Sequence, residues 1–362
     1  LVHWVRLAVD PERHFEFSAD GELEIAEEFV RWEPPPGGGA LRYLVRIDHL
    51  RDKATYDARL TRNWAIFRGD DLVPPARVDT VGVAESRATL SFKLPDGWSI
   101  AVPYEKIGPG RYRVHHPHRR FDRPTGWMAL GKIGVTRERI AGSHIAIAGP
   151  VGQGLRRQDL LAMMRWTLPE LRDVTGGLPS RILIVGAGDP MWRGGLSGPA
   201  SLFLHADRPM ITPDGTSPLL HELVHAVTRL RAGPGGDWIV EGVAELYSVE
   251  LLARSKSMSR RRYAKVLRKL KQEGASVRNL ETDRASGDVT ARAVSELHEL
   301  DETIREATDG QYSLDDLVAR LTRERVPVTT EGLRAHAEAT AGRDLGSFFA
   351  ALPRDRGLAK QP

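Results

Sequence analysis

The hydrophobic periodicity of this sequence changes near residue 150, and the change divides the chain into two regions of different secondary structure. Before that point, short alternating runs rich in β-branched and aromatic residues, such as "RYLVRIDHL", lie between turn sequences such as "PPPGGG". These runs predict antiparallel strands. After it, apolar residues recur at helical spacing, first in "RQDLLAMMRWTLPELRDVTGG". The sequence therefore predicts an α+β protein, with an antiparallel β-domain over residues 1–150 and a mainly helical domain over residues 151–362.

Length and composition limit the classes of protein to which the chain can belong. Its 362 residues suffice for two domains with separate cores. No apolar run approaches the length of about 18 residues that a membrane-spanning helix needs, so we expect no transmembrane segment. The absence of cysteine excludes disulfides, thiolate metal sites and cysteine nucleophiles.

Arginine occurs in short clusters, for example at Arg260–Arg262 and in "HPHRRFDR". Basic clusters can bind nucleic acid or another anionic surface. However, 48 acidic residues nearly balance 52 basic residues, and no nucleic-acid-binding motif accompanies the clusters. We therefore interpret them as solvated surface and expect no nucleic-acid partner.

The segment "SPLLHELVHAVT" carries the clearest chemical signal. His221 and His225 are four residues apart, which places both imidazoles on one face of a helix, where they can bind one metal ion. Glu222 follows the first histidine, and in this HExxH arrangement the glutamate can take a proton from the attacking water. Ser217 and Pro218 suit the N-cap and the first turn of the helix.

A second helix, predicted from "WIVEGVAELYSVELLA", supplies the third ligand that a hydrolytic zinc site needs. Glu241 and Glu245 share a face of this helix, because they too are four residues apart. Glu241 is the better ligand candidate, and Glu245 is placed to accept a hydrogen bond from a ligand histidine. We therefore predict one Zn²⁺ per chain. The alternative, a surface hydrogen-bond cluster without metal, does not explain why the histidines lie among apolar residues.

The segments "HELVHAVT" and "WIVEGVAELY" are similar to the zinc-binding core of the gluzincin metallopeptidases. Within that group the sequence most resembles the glycyl aminopeptidase family, which is related to aminopeptidase N. Three further segments, "WRGGLSGPASLFLH", "EATDGQYSLDDLVARL" and "AGRDLGSFFAALP", also resemble that family. The resemblance implies a thermolysin-like catalytic domain, zinc bound by His221, His225 and Glu241, Glu222 as general base, and a peptide or protein substrate.

The same resemblance places Gly194, Gly195, Leu196 and Ser197 on a glycine-rich strand that binds the substrate. The family carries a glutamate on this strand, which holds the free amino terminus of the substrate, and Ser197 stands in its place. A serine hydroxyl cannot supply the charge-assisted hydrogen bond that an ammonium group needs. We therefore expect an endopeptidase or an enzyme of unusual specificity rather than a typical aminopeptidase.

The family also uses a tyrosine to stabilise the oxyanion, and the corresponding place in this chain falls near Thr290, where no tyrosine occurs. Tyr312, Tyr263, His298 and Arg292 are the alternative donors, although a packing or surface role is the commoner one for each. Loss of one oxyanion donor typically lowers the rate about a hundredfold to a thousandfold. A slow or unusual hydrolase is consistent with this difference.

Together these features predict zinc-dependent hydrolysis of peptide bonds. One alternative is an aminopeptidase that binds the substrate amine with residues other than those of the family. Another is a catalytically weak or inactive zinc-containing scaffold that binds peptides or proteins, although the intact Glu222 argues against it. We expect a location outside the cytoplasm of a bacterium, periplasmic or secreted. This expectation rests on the first residue, which is Leu rather than Met, on the absence of cysteine, and on the usual location of the family that the sequence resembles.

Overall fold

The structure is a computed structural model that describes residues 2–116 and 119–354. Its N-terminal part consists of short strands with one helical turn, α1 (Gly69–Leu72). In chain order the strands are β1 (Val2–Ala8), β2 (His14–Ala19), β3 (Glu22–Ile25), β4 (Phe29–Glu33), β5 (Leu41–Val45), β6 (His49–Leu50), β7 (Tyr56–Leu60), β8 (Trp64–Arg68), β9 (Ala76–Thr80), β10 (Ala88–Ser91), β11 (Ser99–Ala101), β12 (Glu105–Gly108), β13 (Arg111–Val114) and β14 (Trp127–Gly131).

These strands form antiparallel sheets, which confirms the prediction of an N-terminal β-rich region. Their orders are β3–β4–β1–β9, β2–β5, β10–β13–β12 and β11–β14–β8–β7–β6. The last of these sheets lies between two apolar clusters, because successive side chains of a strand point to opposite faces. Ile66 and Trp127 face the C-terminal part of the protein, whereas Phe67 and Met128 face the N-terminal core.

A mixed sheet begins before the predicted domain boundary and continues beyond it. It contains β15 (Ile133–Ile140), β16 (Ser143–Pro150), β17 (Arg181–Val185), β18 (Gly195–Gly198) and β19 (Ser201–Leu204), in the order β15–β16–β17–β19–β18. β16, β17 and β19 are parallel, and β15 and β18 pair antiparallel at the two edges. The predicted division at residue 150 thus falls between two paired strands, and strand pairing groups residues 133–150 with the C-terminal part.

Both faces of this mixed sheet are buried. On β17, Ile182 and Ile184 face the helices, whereas Leu183 and Val185 face the N-terminal sheet. Burial on both faces explains why β17 reads as the continuous apolar run "RILIV" rather than as an alternating pattern.

The chain after the mixed sheet is mainly helical, as the sequence predicted. Its helices are α3 (Pro218–Thr228), α4 (Asp237–Arg254), α5 (Arg260–Glu273), α6 (Asp288–Ala307), α7 (Leu314–Glu324), α8 (Thr330–Ala341) and α9 (Gly346–Ala351), and one earlier helix, α2 (Arg157–Thr175), connects β16 to β17. None of the helices in the described ranges combines the length and hydropathy needed to cross a membrane. α3 packs on both α4 and β18, so these three elements determine where the predicted site residues lie.

α3 begins where the sequence indicates. The Ser217 side chain accepts a hydrogen bond from the Leu220 N–H at 3.3 Å, and Pro218 occupies the first turn. At the other end, Arg229 adopts a left-handed conformation with a φ of 53° and donates its N–H to the His225 carbonyl. This turn directs the chain away from the helix axis and into the loop that leads to α4.

The loop between α3 and α4 is bound to the segment that precedes α8. The Val328 N–H donates to the Arg231 carbonyl at 2.8 Å, and the Gly233 N–H donates to the Val328 carbonyl at 2.7 Å. The Arg231 side chain also donates to the Arg325 carbonyl at 3.0 Å. A Cβ on Gly236 would lie 1.8 Å from the Val328 oxygen, so glycine is required at this approach.

Candidate metal centre

α3 and α4 bring three potential metal ligands to one point. His221 and His225 lie on α3 and Glu241 lies on α4, and one ligand atom of each residue is within 4.8 Å of the others. The two histidine Nε2 atoms are 3.1 Å apart, and each is 3.4 Å from a carboxylate oxygen of Glu241. Two ligands held about 2.1 Å from one ion in a tetrahedral arrangement lie about 3.4 Å from each other. The distances therefore fit one metal ion.

Glu245, one turn after Glu241, orients the first of the histidines. Its carboxylate accepts a hydrogen bond from Nδ1 of His221 at 2.9 Å, which leaves Nε2 directed at the shared point. Burial alone would lower the pKa of His221, but the hydrogen bonds to Glu241 and Glu245 raise it to about 10. The carboxylates thus favour positive charge at this point, and a metal cation would bring the same charge.

Glu222 lies on the side of α3 that faces β18. A Cβ on Gly195 would lie 2.6 Å from the Glu222 Cγ, so only glycine allows the strand to come this close. Burial raises the pKa of Glu222, and the neighbouring histidines His221 and His225 only partly oppose this rise. The carboxylate is therefore confined between the helix and the strand, next to the three ligands.

The four predicted substrate-binding residues lie at or beside the same strand. β18 is an edge strand that pairs only with β19 among the described strands, so its other edge can accept an extended peptide. Gly194 lies against an indole ring, where a Cβ would be 2.0 Å from a ring atom. Leu196 packs on the apolar cluster between the two parts of the protein. Ser197 lines a pocket that also contains His225.

Two pockets with opposite charge adjoin the metal centre. The pocket that contains His221 has a volume of about 630 Å³, and we call it the acidic pocket. Its carboxylates are Asp214, Asp237, Glu241, Glu245, Glu273 and Asp288, with Arg284 as a basic residue. The pocket that contains His225 has a volume of about 580 Å³, and we call it the basic pocket. Its arginines are Arg119, Arg229, Arg231 and Arg325, with Glu324 as an acidic residue.

The predicted oxyanion donors line neither of these pockets. The Tyr263 hydroxyl donates to the Glu250 carboxylate, and Tyr312 is 42% exposed in the loop between α6 and α7. His298 lies on α6 with its Nε2 atom 3.8 Å from a carboxylate oxygen of Glu302. A catalytic role for these residues stays a prediction. Thr290, near the place where the family carries its tyrosine, does line the acidic pocket.

The basic pocket was not among the site features expected from the sequence. Arg119 belongs to the "HPHRRFDR" cluster, which the sequence led us to interpret as solvated surface. Arg229 and Arg231 follow a ligand histidine within six residues, and the next acidic residue is Asp237. Two arginines that follow a zinc motif without an acidic neighbour indicate unpaired positive charge near the metal. This signal could have predicted two of the four arginines of the pocket.

Comparison with known proteins identifies the fold. No protein-family model and no curated protein sequence matches the chain. The structure resembles an aminopeptidase N family protein from Idiomarina loihiensis with a TM-score of 0.67 and 14% identity, over 89% of this chain and 65% of that one. It also resembles a mutant M1 zinc metallopeptidase from Deinococcus radiodurans, bound to a Tyr-Ser-Ala substrate. The TM-score is 0.61 and the identity 16%, over 100% of this chain and 88% of that one. This chain has the fold of the M1 zinc metallopeptidases.

The structure also resembles aminopeptidase A from Legionella pneumophila in complex with aspartic acid, with a TM-score of 0.57 and 12% identity, over 97% of this chain and 45% of that one. The chain therefore spans slightly less than two thirds of the Idiomarina protein, but most of the Deinococcus protein. The relationship to aminopeptidase N that the sequence motifs indicated is confirmed at the level of the fold.

Proposed function

We propose that the protein is a zinc-dependent peptidase. The observation that carries this proposal is the meeting of His221, His225 and Glu241 at one point, with Glu222 beside them and facing an edge strand. A structural site would need the three ligands but would have no use for a confined carboxylate next to them. The M1 fold supports the proposal, and with it a thermolysin-like arrangement of the zinc-bearing helices under the strand.

Each residue of the site has a defined task in this reaction. His221, His225 and Glu241 would hold a zinc ion, which would supply a Lewis acid for the scissile carbonyl and for the attacking water. Glu222 accepts a proton from this water at its carboxylate and passes it to the leaving amine nitrogen. Glu245 keeps the His221 ring oriented through Nδ1. The free edge of β18 pairs with the backbone of the extended substrate.

The surroundings of Ser197 favour cleavage away from the amino terminus of the substrate. Ser197 lines the basic pocket together with Arg119, Arg229 and Arg231. These positive charges would repel an ammonium group. We therefore propose that the peptidase cleaves internal bonds, or has another specificity that requires no free amine at Ser197.

An aminopeptidase is the second candidate, and the acidic pocket favours it. Asp288 is exposed in this pocket, which Ser197 does not line, and could bind a substrate ammonium. The structures named above as aminopeptidase A and as an aminopeptidase N family protein agree with this second possibility.

Digestion of a peptide pool distinguishes these activities. Half of the peptides carry free amino termini and half carry acetylated ones, and the zinc-loaded protein is compared with the Glu222→Gln variant by mass spectrometry. We expect cleavage of both halves and a rate lower by on the order of a thousandfold in the variant, because it lacks the general base. Zinc content should remain equal in the two proteins.

The other outcomes are equally informative. Trimming of free peptides alone would support the aminopeptidase. Cleavage at the same rate by wild type and Glu222→Gln would refute the assigned general base. A wild-type protein that binds zinc and cleaves no peptide would refute the peptidase and support a scaffold.

A further inference from the structure

We propose that the basic pocket binds a carboxylate of the peptide substrate, from an acidic side chain or from the carboxyl terminus. This inference deepens the proposed peptidase and rests on it for the nature of the ligand as a peptide. The lining and the charge of the pocket do not depend on whether the protein cleaves peptides.

The four arginines of the basic pocket come from three distant parts of the chain. Arg119 lies between β13 and β14, Arg229 and Arg231 follow α3, and Arg325 follows α7. Arg325 ends its helix with a φ of 56°, much as Arg229 ends α3 with a φ of 53°. Two helix ends and one loop of the N-terminal part thus converge on the same cavity, which only the tertiary structure brings together.

Negative charge is scarce in this pocket. Within the described ranges, no ion pair joins any of the four arginines to a carboxylate, and the buried Nη1 atom of Arg119 has no hydrogen-bond partner. Glu324 lines the pocket, but its oxygens already accept from Arg320 at 2.8 Å and lie 3.2 Å from His336. The four arginines therefore bring positive charge to the cavity, and no carboxylate among the described residues pairs with any of them.

The arginines also repel one another. Burial lowers the pKa of Arg229, and Arg325, Arg119 and Arg231 lower it further, without an opposing carboxylate. Arginine nevertheless stays charged in proteins. His116, in the same wall, adds little charge at neutral pH, because burial, Arg119 and Arg229 lower its pKa to about 4. An anion in the cavity would therefore relieve repulsion as well as supply hydrogen bonds.

The position of the pocket identifies its ligand as part of the substrate. His225 and Ser197 line the same cavity, so a group bound there lies beside the metal centre and the edge strand. A peptide paired with β18 would place a nearby side chain, or its own carboxyl terminus, within reach. The planar fork of a guanidinium matches a carboxylate in two parallel hydrogen bonds. We therefore expect recognition within a few residues of the scissile bond.

Binding to the zinc-loaded Glu222→Gln protein tests this proposal without turnover. Fluorescein-labelled heptapeptides carry a single glutamate that is moved through the sequence, and each has a twin with glutamine at that position. A second pair differs only in a free or amidated carboxyl terminus. Fluorescence anisotropy gives each Kd. We expect the peptides with glutamate at one or two adjacent positions, or the peptide with a free carboxyl terminus, to bind on the order of tenfold or more tightly than their neutral counterparts.

Variants of the pocket localise the effect. Arg229→Gln and Arg119→Gln should each remove most of the preference for the charged peptide. Arg260→Gln is the matched control, because Arg260 is exposed on α5 and lines neither pocket. The comparison of glutamate with glutamine peptides needs no change in the pocket, so it remains decisive if an arginine variant fails to fold.

Several results would overturn the proposal. Equal Kd values for every charged and neutral pair would do so, even if the wild type cleaves peptides well. An equal preference at every position would indicate general attraction rather than a pocket. Displacement of the labelled peptides by 1 mM inorganic phosphate, without a preference for glutamate, would assign a phosphate site instead. A clear preference in a protein that never cleaves peptides would refute the peptidase but support the pocket.

Discussion

The acidic pocket and the basic pocket adjoin the same metal centre, but they differ in how far their charged side chains are paired. Most carboxylates of the acidic pocket are already engaged. Glu241 and Glu245 contact the ligand histidines, Lys269 pairs with Asp214 and Glu273, and Asp237 accepts the Ala285 N–H. Arg231 donates to the Arg325 carbonyl, but no carboxylate among the described residues pairs with an arginine of the basic pocket. The carboxylates of the acidic pocket therefore form and orient the metal centre, whereas the arginines of the basic pocket have positive charge available for a ligand.

Removal of single carboxylates from the acidic pocket should have the largest effect. We expect Glu241→Gln to lose stoichiometric zinc on dialysis, because it is a ligand, and Glu245→Gln to bind zinc about 10- to 100-fold more weakly, because it only orients one. Asp288→Asn is the control from the same pocket and should keep zinc. Metal content by mass spectrometry and competition with a chelator provide the readouts. Equal losses in all three would mean that overall charge, and not ligation, holds the metal.

Acidification should destabilise the basic side through His116, with a smaller effect. Burial, then Arg119 and Arg229, lower the pKa of His116 to about 4, below the unfolded value of about 6.5. The unfolded chain thus binds this proton more readily. The stability from the neutral ring is therefore complete above about pH 6.5 and falls as the pH drops toward 4.

We expect the free energy of unfolding to fall by about 2 kcal/mol more in the wild type than in His116→Gln between pH 7 and pH 4.5. Urea denaturation at several pH values measures the difference, and the comparison with the variant cancels the carboxylates that titrate in the same range. Parallel curves for the two proteins would show that His116 titrates normally.

The smallest effect concerns a carboxylate introduced into the basic pocket. Ser197→Glu should raise the free energy of unfolding by about 1 kcal/mol, because the new side chain gives the arginines a partner. It should also weaken binding of the glutamate peptides, since both compete for the same charges. Ser197→Gln has the same size without the charge and should do neither. If Ser197→Gln raised the free energy of unfolding as much as Ser197→Glu, the basic pocket would not lack an anion.

The metal ligands could be predicted from the sequence because local geometry determines their arrangement. A spacing of four residues on a helix places His221 beside His225, and Glu241 beside Glu245, whatever the rest of the fold does. The cap at Ser217 is local in the same way, and it lies where expected. Such features need no knowledge of which segments meet in space.

The basic pocket and the extent of the mixed sheet were not predictable on this basis. Arg119 and Arg325 are about two hundred residues apart in the chain, and no periodicity relates them. Likewise, residues 133–150 show the same alternation as the earlier strands, and a period of two does not reveal which sheet a strand joins. The parallel pairing of β16 with β17 depends on tertiary contacts that the local pattern does not encode.

The hydrogen bonds that join the α3–α4 loop to Val328 bear on how fast an anion could bind. They join the backbone of Arg231 to that of Val328, and the Arg231 side chain donates to the Arg325 carbonyl, so the two segments that carry these arginines are held together. A ligand would then meet a pocket that is already assembled, and little conformational entropy would be lost on binding. The association rate should accordingly be set by diffusion and by the ionic strength of the solution, rather than by a slow rearrangement of the protein.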